Sequence, residues 1–384
     1  MSAEPVGAPP IPFAPPHIVE ADIEAVTGVL RGGWLSTGPE CAGLEAELAE
    51  RTGAPHVVAV SSCTTALQIA VASLRLPPGA RVGVPTWTFV ASASSVVHAG
   101  ARPVLLDVDA DTLNVSPAAV EAAIDEGLDA LMVVHFAGQA VDPAVLDLAR
   151  RAGIPVIEDA AHALGTTDDR GPISGIGTVA ACYSFYATKN LTSGEGGALA
   201  TFDDDLARFA RSQRLHGLSN DAWGRYRIGA SPEYDVHEPG LKANLPDLLA
   251  VLARSQLGRF DEMQARRRAV VRRYRATIEQ LDGVGIVPGV PDERSADHLF
   301  VIVLPEGVER ADVVAGMAAA GIGTSVHFRP VHTFTWFREH APLGPTGVAT
   351  ADRLAGRTLS LPLHAGLTDP EVDRVLESLV GLLS

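Results

Sequence analysis

Of the 30 basic residues in the chain only two, Lys189 and Lys242, are lysine; the other 28 are arginine. A composition rich in Ala, Gly, Pro and Arg places arginine wherever any cation suffices, so a retained lysine is either accidental or sits where arginine cannot serve. Arginine cannot form a Schiff base, because its guanidinium stays protonated in proteins. Lys189 falls in YSFYATKNLTSGEGG (183–197), where a strand pattern runs into a turn of small residues. A lysine fixed at a strand end can be desolvated, which lowers its pKa and makes it a nucleophile toward an aldehyde. The alternative is a surface lysine in a flexible loop.

Two further constellations accompany it. In VIEDAAHALG (156–165) a buried apolar run delivers Glu158 and Asp159 at its end, with His162 three residues on. A carboxylate at the carboxyl end of a strand in an α/β sheet lies where such sheets place ligands, and it can hold a protonated ring nitrogen; a helix cap by Asp159 is the competing use. No second acid or histidine follows at metal-ligand spacing, so no metal is expected. In the segment 57–67 a short strand gives way to Ser61, Ser62, Cys63, Thr64 and Thr65 before a helical pattern. Hydroxyls and backbone N–H groups at a helix start form an anion site suited to phosphate; equally, they are ordinary caps. No GxGxxG and no Walker lysine is present. Cys63 reads as a small buried filler. A phosphate cradle, a carboxylate for a ring nitrogen and a Schiff-base lysine are together what pyridoxal 5'-phosphate (PLP) requires. Trp87, in PTWTF (85–89), is a candidate to cover the ring face, and core packing is its alternative.

The elements that must position these groups alternate in the sequence. Strand patterns at 57–60, 82–84, 103–108, 130–134, 155–159, 179–186 and 197–202 are separated by helical patterns such as 117–124 and 143–152. That alternation predicts an α/β domain with a mainly parallel sheet. After about Leu245 the pattern changes to a long helical region reaching Leu281, a strand at 298–304, a helix near 311–320, a strand at 322–328 and a closing helix at 370–383, which predicts a smaller α+β domain. The expected division is an extended Pro-rich arm at 1–20, loose or packed on a neighbour, a large domain at 21–245 and a small domain at 246–384.

Composition narrows the partners. Acids outnumber bases 46 to 30, a net charge of −16, and such a surface repels nucleic acid and anionic membranes. The densest basic run, Arg266 to Arg268 with Arg272, Arg273 and Arg275, is expected to be one solvated helix face. No window reaches the roughly 20 apolar residues of a membrane span. Cys41, Cys63 and Cys182 form no CxxC pair, so neither a disulfide framework nor a zinc site is expected and a cytoplasmic setting fits.

Taken in order, GGWLSTGP (32–39), the hydroxyl loop (61–67), PTWTFVAS (85–92), VVHFAGQAVD (133–142), VIEDAAHALGT (156–166) and SFYATKNLTSGEGG (184–197) resemble the DegT/DnrJ/EryC1/StrS group of PLP-dependent nucleotide-sugar aminotransferases, over nearly the whole chain. The resemblance implies the aspartate-aminotransferase-like fold (fold-type I), with a large mainly parallel α/β/α domain and a small α+β C-terminal domain. It makes Lys189 the Schiff-base lysine and proton shuttle, Asp159 the pyridinium partner and Trp87 the stacking residue. His162 lies beside the ring and joins Lys189 and Asp159 as the catalytic set. Thr64, the backbone at Thr65, and Ser184 match the phosphate binders. Asn244, in GLKAN (240–244), matches a residue that reaches the phosphate of a neighbouring subunit, which implies a homodimer with shared active sites. His327, in TSVHFRP, matches a residue near the sugar. The chain departs from the pattern at Cys63 and Thr65, where other members often carry Gly-Thr-Ala.

The same resemblance implies L-glutamate as amino donor and a nucleotide-linked keto sugar as acceptor. The arm IPFAPP, the segment GWLSTGP and the stretch from HGLSN to GLKANLPD look most like enzymes that aminate C4 of a 4-keto-6-deoxy sugar. The alternatives are a C3-aminating sugar or cyclitol enzyme, or a non-catalytic PLP-binding regulatory relative. An anionic nucleotide diphosphate on an acidic protein needs a local cationic patch, for which Arg225, Arg227 and Arg329 are the candidates.

Overall fold

The computed structural model describes residues 9–218, 233–289 and 293–383. Its first two helices, α1 (Glu20–Gly32) and α2 (Pro39–Thr52), each end on a glycine in the left-handed region, Gly33 and Gly53, the usual way a helix is stopped without a Cβ penalty. Then β1 (His56–Val60), α3 (Cys63–Ser73), β2 (Arg81–Pro85), α4 (Val90–His98), β3 (Arg102–Leu106), α5 (Pro117–Asp125), β4 (Ala130–Val134), α6 (Pro143–Ala152) and β5 (Val156–Asp159) alternate as the sequence predicts. A two-residue hairpin, β6 (Thr167–Asp168) and β7 (Gly171–Pro172), precedes β8 (Ala180–Ser184), β9 (Gly197–Thr201) and α7 (Asp204–Gln213). Side-chain caps start several of these helices: Ser62 accepts from Thr65 N–H, Ser116 from Ala119 N–H and Asp203 from Leu206 N–H.

These strands form a seven-stranded sheet in the order β1-β9-β8-β5-β4-β2-β3. β9 runs antiparallel to both neighbours and the remaining pairings are parallel. Parallel strands with helices on both faces must be apolar throughout, and β4 is: Ala-Leu-Met-Val-Val, every residue buried. The carboxyl ends of β1, β4, β5 and β8 and the start of β9 therefore converge on one edge, which is where the chemistry-bearing residues lie. The fold is the α/β class the sequence predicts.

A second, antiparallel sheet, β10 (Gly285–Val287), β11 (Phe300–Val303) and β12 (Thr358–Leu361), packs with the helices Phe260–Ile278, Arg310–Ala319 and Asp369–Leu383 around Val270, Tyr274, Ile302 and Leu379. The helix Asp247–Leu257 packs on α1 and α2, and residues 331–341 return Val331, Phe337 and Ala341 to the core of the large sheet. Two expectations need correction here. The segment 322–328 forms only isolated bridges, Ile322 to Ile11 and Ser325 to Ser360, because its next residues leave the sheet for a cavity wall. The Arg-rich helix is not a uniformly solvated face. Arg266 and Arg273 pair with Asp369, but Arg267 is 4% exposed and donates to the carbonyls of His298 and Leu363.

The described part of the arm, from residue 9, packs on this same chain. Ile11 is buried, and its backbone exchanges hydrogen bonds of 2.8 Å with Gly321 O and Gly323 N. No helix among the described residues is long and apolar enough to cross a membrane.

Candidate active site

A cavity of about 560 Å³ opens at the converging strand ends. From β1 and α3 come Ser62, Cys63 and Thr64; from the end of β5 come Asp159 and His162; from β8 and the turn after it come Ser184 and Lys189. Three segments that are far apart in sequence thus meet as the sequence reading requires.

Asp159 is buried. Its Oδ2 accepts from Ser92 Oγ at 2.7 Å and its Oδ1 from Ala161 N–H at 3.1 Å. Burial raises its pKa, opposed by those two hydrogen bonds and by the charge of Lys189. Lys189 is held by its own N–H, which donates to Tyr186 O at 2.9 Å. Desolvation pushes its amine down to about 8, against the opposing influence of Cys63 and Asp159. The thiol of Cys63 lies 3.2 Å from Cys182 O and 3.9 Å from Asp159 Oδ1, and burial pushes it well above its ordinary pKa. It is a buried filler, as expected, and not a nucleophile.

At the start of α3, Ser62 Oγ accepts from Thr65 N–H at 3.2 Å, and Ala66 N–H goes to Ser62 O. The N–H groups of Cys63 and Thr64 have no acceptor within the helix, as in any first turn. Gly197 permits this: a Cβ there would stand 2.5 Å from Cys63 N. The helix start therefore presses directly against β9, with its positive end at the cavity. Thr64 and Ser184 line this end. Thr65 does not; its hydroxyl is engaged by Ser61 and Ser62 at 3.2 and 2.7 Å. Asn244 is bridged to Val60 at the end of β1 but is absent from this wall, donating instead to Thr37 Oγ1 at 2.8 Å.

Two expected contributors lie elsewhere. Trp87 is 0% exposed and packs with Val108, Leu113 and Phe136, its indole N–H donating to His327 O at 3.2 Å. It is a core residue, and the aromatic of this segment that borders the cavity is Phe89, two positions on and 58% exposed. Both residues lie beyond the end of β2, in the bend before α4, where Phe89 is the residue immediately preceding the helix. Strand alternation no longer sets side-chain direction there, so residue type alone does not tell which of the two aromatics meets the cavity. Arg329 is exposed and turned away: it donates to Thr333 Oγ1 and Thr333 O and stacks 4.9 Å over Phe334. Arg225 and Arg227 lie outside the described residues. Glu158 has no part in the cavity. Burial would raise its pKa, but His135 at 2.8 Å and Arg170 hold it down at about 2.

His327 lines the wall as the resemblance implies, beside Phe13, Phe328 and His298, which were not singled out from the sequence. Phe13 of the arm stacks on His327, ring centroids 5.3 Å apart at 22°. His327 Nδ1 lies 3.0 Å from Ser360 Oγ, and burial, with the charge of Lys189, lowers its pKa to about 4. Phe328 and His298 complete that side. His298 sits in DHLF, which reads only as the start of a strand; nothing local marks it as a pocket residue.

The fold and this arrangement define a fold-type I PLP enzyme. The model of the DegT/DnrJ/EryC1/StrS aminotransferase family matches residues 16–380, so the chain belongs to that family and is a PLP-dependent sugar aminotransferase of nucleotide-sugar biosynthesis. It is 42% identical over 374 residues, 96% of each chain, to the spore coat polysaccharide biosynthesis protein SpsC of Bacillus subtilis (strain 168). Among solved structures it is similar to a Streptococcus pneumoniae protein described as a sugar aminotransferase, in its PLP form, with TM-score 0.88, 30% identity and coverage of 97% and 98% of the two chains. It is also similar to the aminotransferase TlmJ of Streptoalloteichus hindustanus, with TM-score 0.87, 31% identity and coverage of 97% and 99%. The cavity fits the cofactor: a desolvated amine, a buried carboxylate and a helix start whose first N–H groups have no acceptor within the helix face one space.

Proposed function

We propose that this chain moves the amino group of L-glutamate onto the C4 keto carbon of a nucleotide-linked 4-keto-6-deoxy sugar. The observation that carries the reading is Lys189, its amine lowered to about 8, sharing one cavity with the buried carboxylate of Asp159. Bound PLP supplies an electron sink for the carbon attached to the transferred nitrogen.

Each residue then has a distinct task. Lys189, its amine lowered to about 8, would hold the cofactor through its aldehyde carbon and, when free, would serve as the base and acid that carries the substrate carbon's proton. Asp159, kept in place by Ser92, balances a positive charge on the pyridine nitrogen. Thr64, Ser184 and the N–H groups at the start of α3 hold the phosphate, and Phe89 covers the ring in the role first expected of Trp87. His162 borders the ring beside them. His327 and Phe13 face the sugar, and Arg225 and Arg227 serve the nucleotide diphosphate.

Asn244 supports a homodimer. It stands beside the phosphate loop yet outside its own cavity, as a residue serving a second copy would. The three buried free cysteines support a reducing, cytoplasmic setting. Support for C4 comes from the segments IPFAPP, GWLSTGP and GLKANLPD.

The test is the visible absorption of the protein with PLP, before and after L-glutamate, followed by keto sugars added in turn. Loss of the lysine-bound band with glutamate and its return with a 4-keto sugar are expected. Return only with a 3-keto sugar or a cyclitol ketone overturns the C4 assignment, and a band indifferent to glutamate overturns the donor.

A further inference from the structure

Behind the cavity wall a chain of amides determines how His298 can bond. Gln264 Nε2 donates to Ala296 O at 2.7 Å, which turns Gln264 Oε1 toward Asn190 Nδ2, 2.8 Å away. Asn190 Nδ2 also donates to Ala296 O at 2.7 Å. An amide nitrogen facing two acceptors cannot be exchanged for its oxygen without setting oxygen against oxygen twice. Asn190 Oδ1 therefore faces His298 Nδ1, at 2.9 Å. A carboxamide oxygen only accepts, so Nδ1 carries the proton. Burial, then the charges of His162, Lys189 and Arg267, hold His298 well below the ordinary histidine pKa. The ring is thus neutral, and its Nε2 keeps a lone pair.

His162 is set in the opposite sense. The backbone N–H of Ala137 donates to its Nδ1 at 3.2 Å, and burial with the charge of Lys189 keeps this ring neutral too. Its proton is therefore on Nε2. The two ring centroids are 4.2 Å apart and both rings border the cavity. The wall accordingly presents one imidazole donor and one imidazole acceptor side by side. Among the described residues none of the hydrogen bonds engages His298 Nε2.

We infer that His298 is a sugar-binding residue whose Nε2 accepts a hydrogen bond from a ring hydroxyl of the keto sugar, with Asn190 as the positioning residue that fixes its tautomer. Sugar hydroxyls are donors in need of acceptors, and an acceptor-only nitrogen on an otherwise aromatic wall selects for one. The inference rests on reading the cavity as a keto-sugar site. It also ties that selection to the chemistry, since Asn190 follows Lys189 directly in the chain.

Two measurements test it. In protein labelled with 15N-histidine, the two-bond proton–nitrogen spectrum, assigned by the signal lost in His298→Phe, is expected to show His298 with the proton on Nδ1. A proton on Nε2, or a doubly protonated ring, overturns the inference. Asn190→Asp, a carboxylate that stabilises the charged ring, is expected to shift that signal to the doubly protonated form. Second, wild-type and His298→Phe proteins are preloaded with pyridoxamine phosphate, which shows both to be folded, and mixed with the keto sugar and its singly deoxygenated analogues. His298→Phe is expected to lower kcat/KM for the parent sugar roughly 10- to 100-fold, and one analogue is expected to react alike with both proteins. Equal conversion of the parent sugar by both proteins counts against His298 alone. A wild-type protein that converts no keto sugar counts against the functional reading itself.

Discussion

Ser92 Oγ donates a 2.7 Å hydrogen bond to Asp159 Oδ2, joining the first turn of α4 to the end of β5 inside the sheet edge. The bond holds a fully enclosed carboxylate at a set angle to the cavity while burial pulls its pKa upward. A ring nitrogen bearing a proton is the partner that such a carboxylate lacks. Asp159→Asn is therefore expected to keep the cofactor bound and to lower turnover by on the order of 10²- to 10⁴-fold. Single-turnover absorbance changes with glutamate check this; wild-type rates in the variant would remove Asp159 from the reaction.

Lys189→Ala is expected to abolish the visible band of the lysine-bound cofactor and to cut turnover by roughly 10³-fold or more. Lys242→Arg is expected to leave both unchanged, since Lys242 lies beside Asn244 and outside the cavity wall. With only these two lysines in the chain, borohydride reduction and peptide mass mapping give an unambiguous answer.

The depressed pKa of Lys189 has a pH consequence. Between about 8 and the ordinary lysine value of 10.5 the unfolded chain binds a proton that the folded apoprotein does not. Stability from this group therefore rises with pH across that window, and its cost is full below pH about 8. Capture of PLP, trapped by borohydride at each pH, should rise through pH about 8 and then level. A capture rate still climbing toward pH 10.5 would show an amine in water.

Glu158 runs the other way. Its pKa is lowered from 4.5 to about 2 by His135 and Arg170 despite its burial. Its contribution, ~3 kcal/mol, is present above pH 4.5 and is lost as pH falls toward about 2. Glu158→Gln should flatten the acid side of the stability curve, measured by urea unfolding at a series of pH values, and should leave the cofactor bound. An unchanged acid limb in the variant would refute this account of the network.

Trp87 and Phe89 separate core from site. Trp87→Ala should cost about 3–5 kcal/mol of stability, as large-to-small changes in a filled core do. Phe89→Ala should leave stability nearly unchanged and weaken PLP binding instead. Thermal melts of the apoproteins and cofactor titrations distinguish the two, and the reverse pattern would restore the ring to Trp87.

Much of this was legible before any coordinates. Periodicity located the sheet strands to within a residue or two at most positions, because a parallel strand buried on both faces must be a short apolar run, as at 130–134. The lone functional lysine, the carboxylate at a strand end and the hydroxyl-rich helix start were identifiable by residue type, because few other residues can perform those tasks. Tertiary structure decided the rest. Whether Trp87 or Phe89 meets the cavity depends on which way a side chain turns in the bend beyond a strand, which residue type does not reveal. Arg267 became a buried cation, and not one of a solvated row, because the helix that carries it lies against the carbonyls of His298 and Leu363. His298 itself reads as the opening of a strand. It gains a defined proton only because Asn190, Gln264 and Ala296, distant in sequence, are brought together behind it, and a tautomer is a property of neighbours that local sequence does not contain.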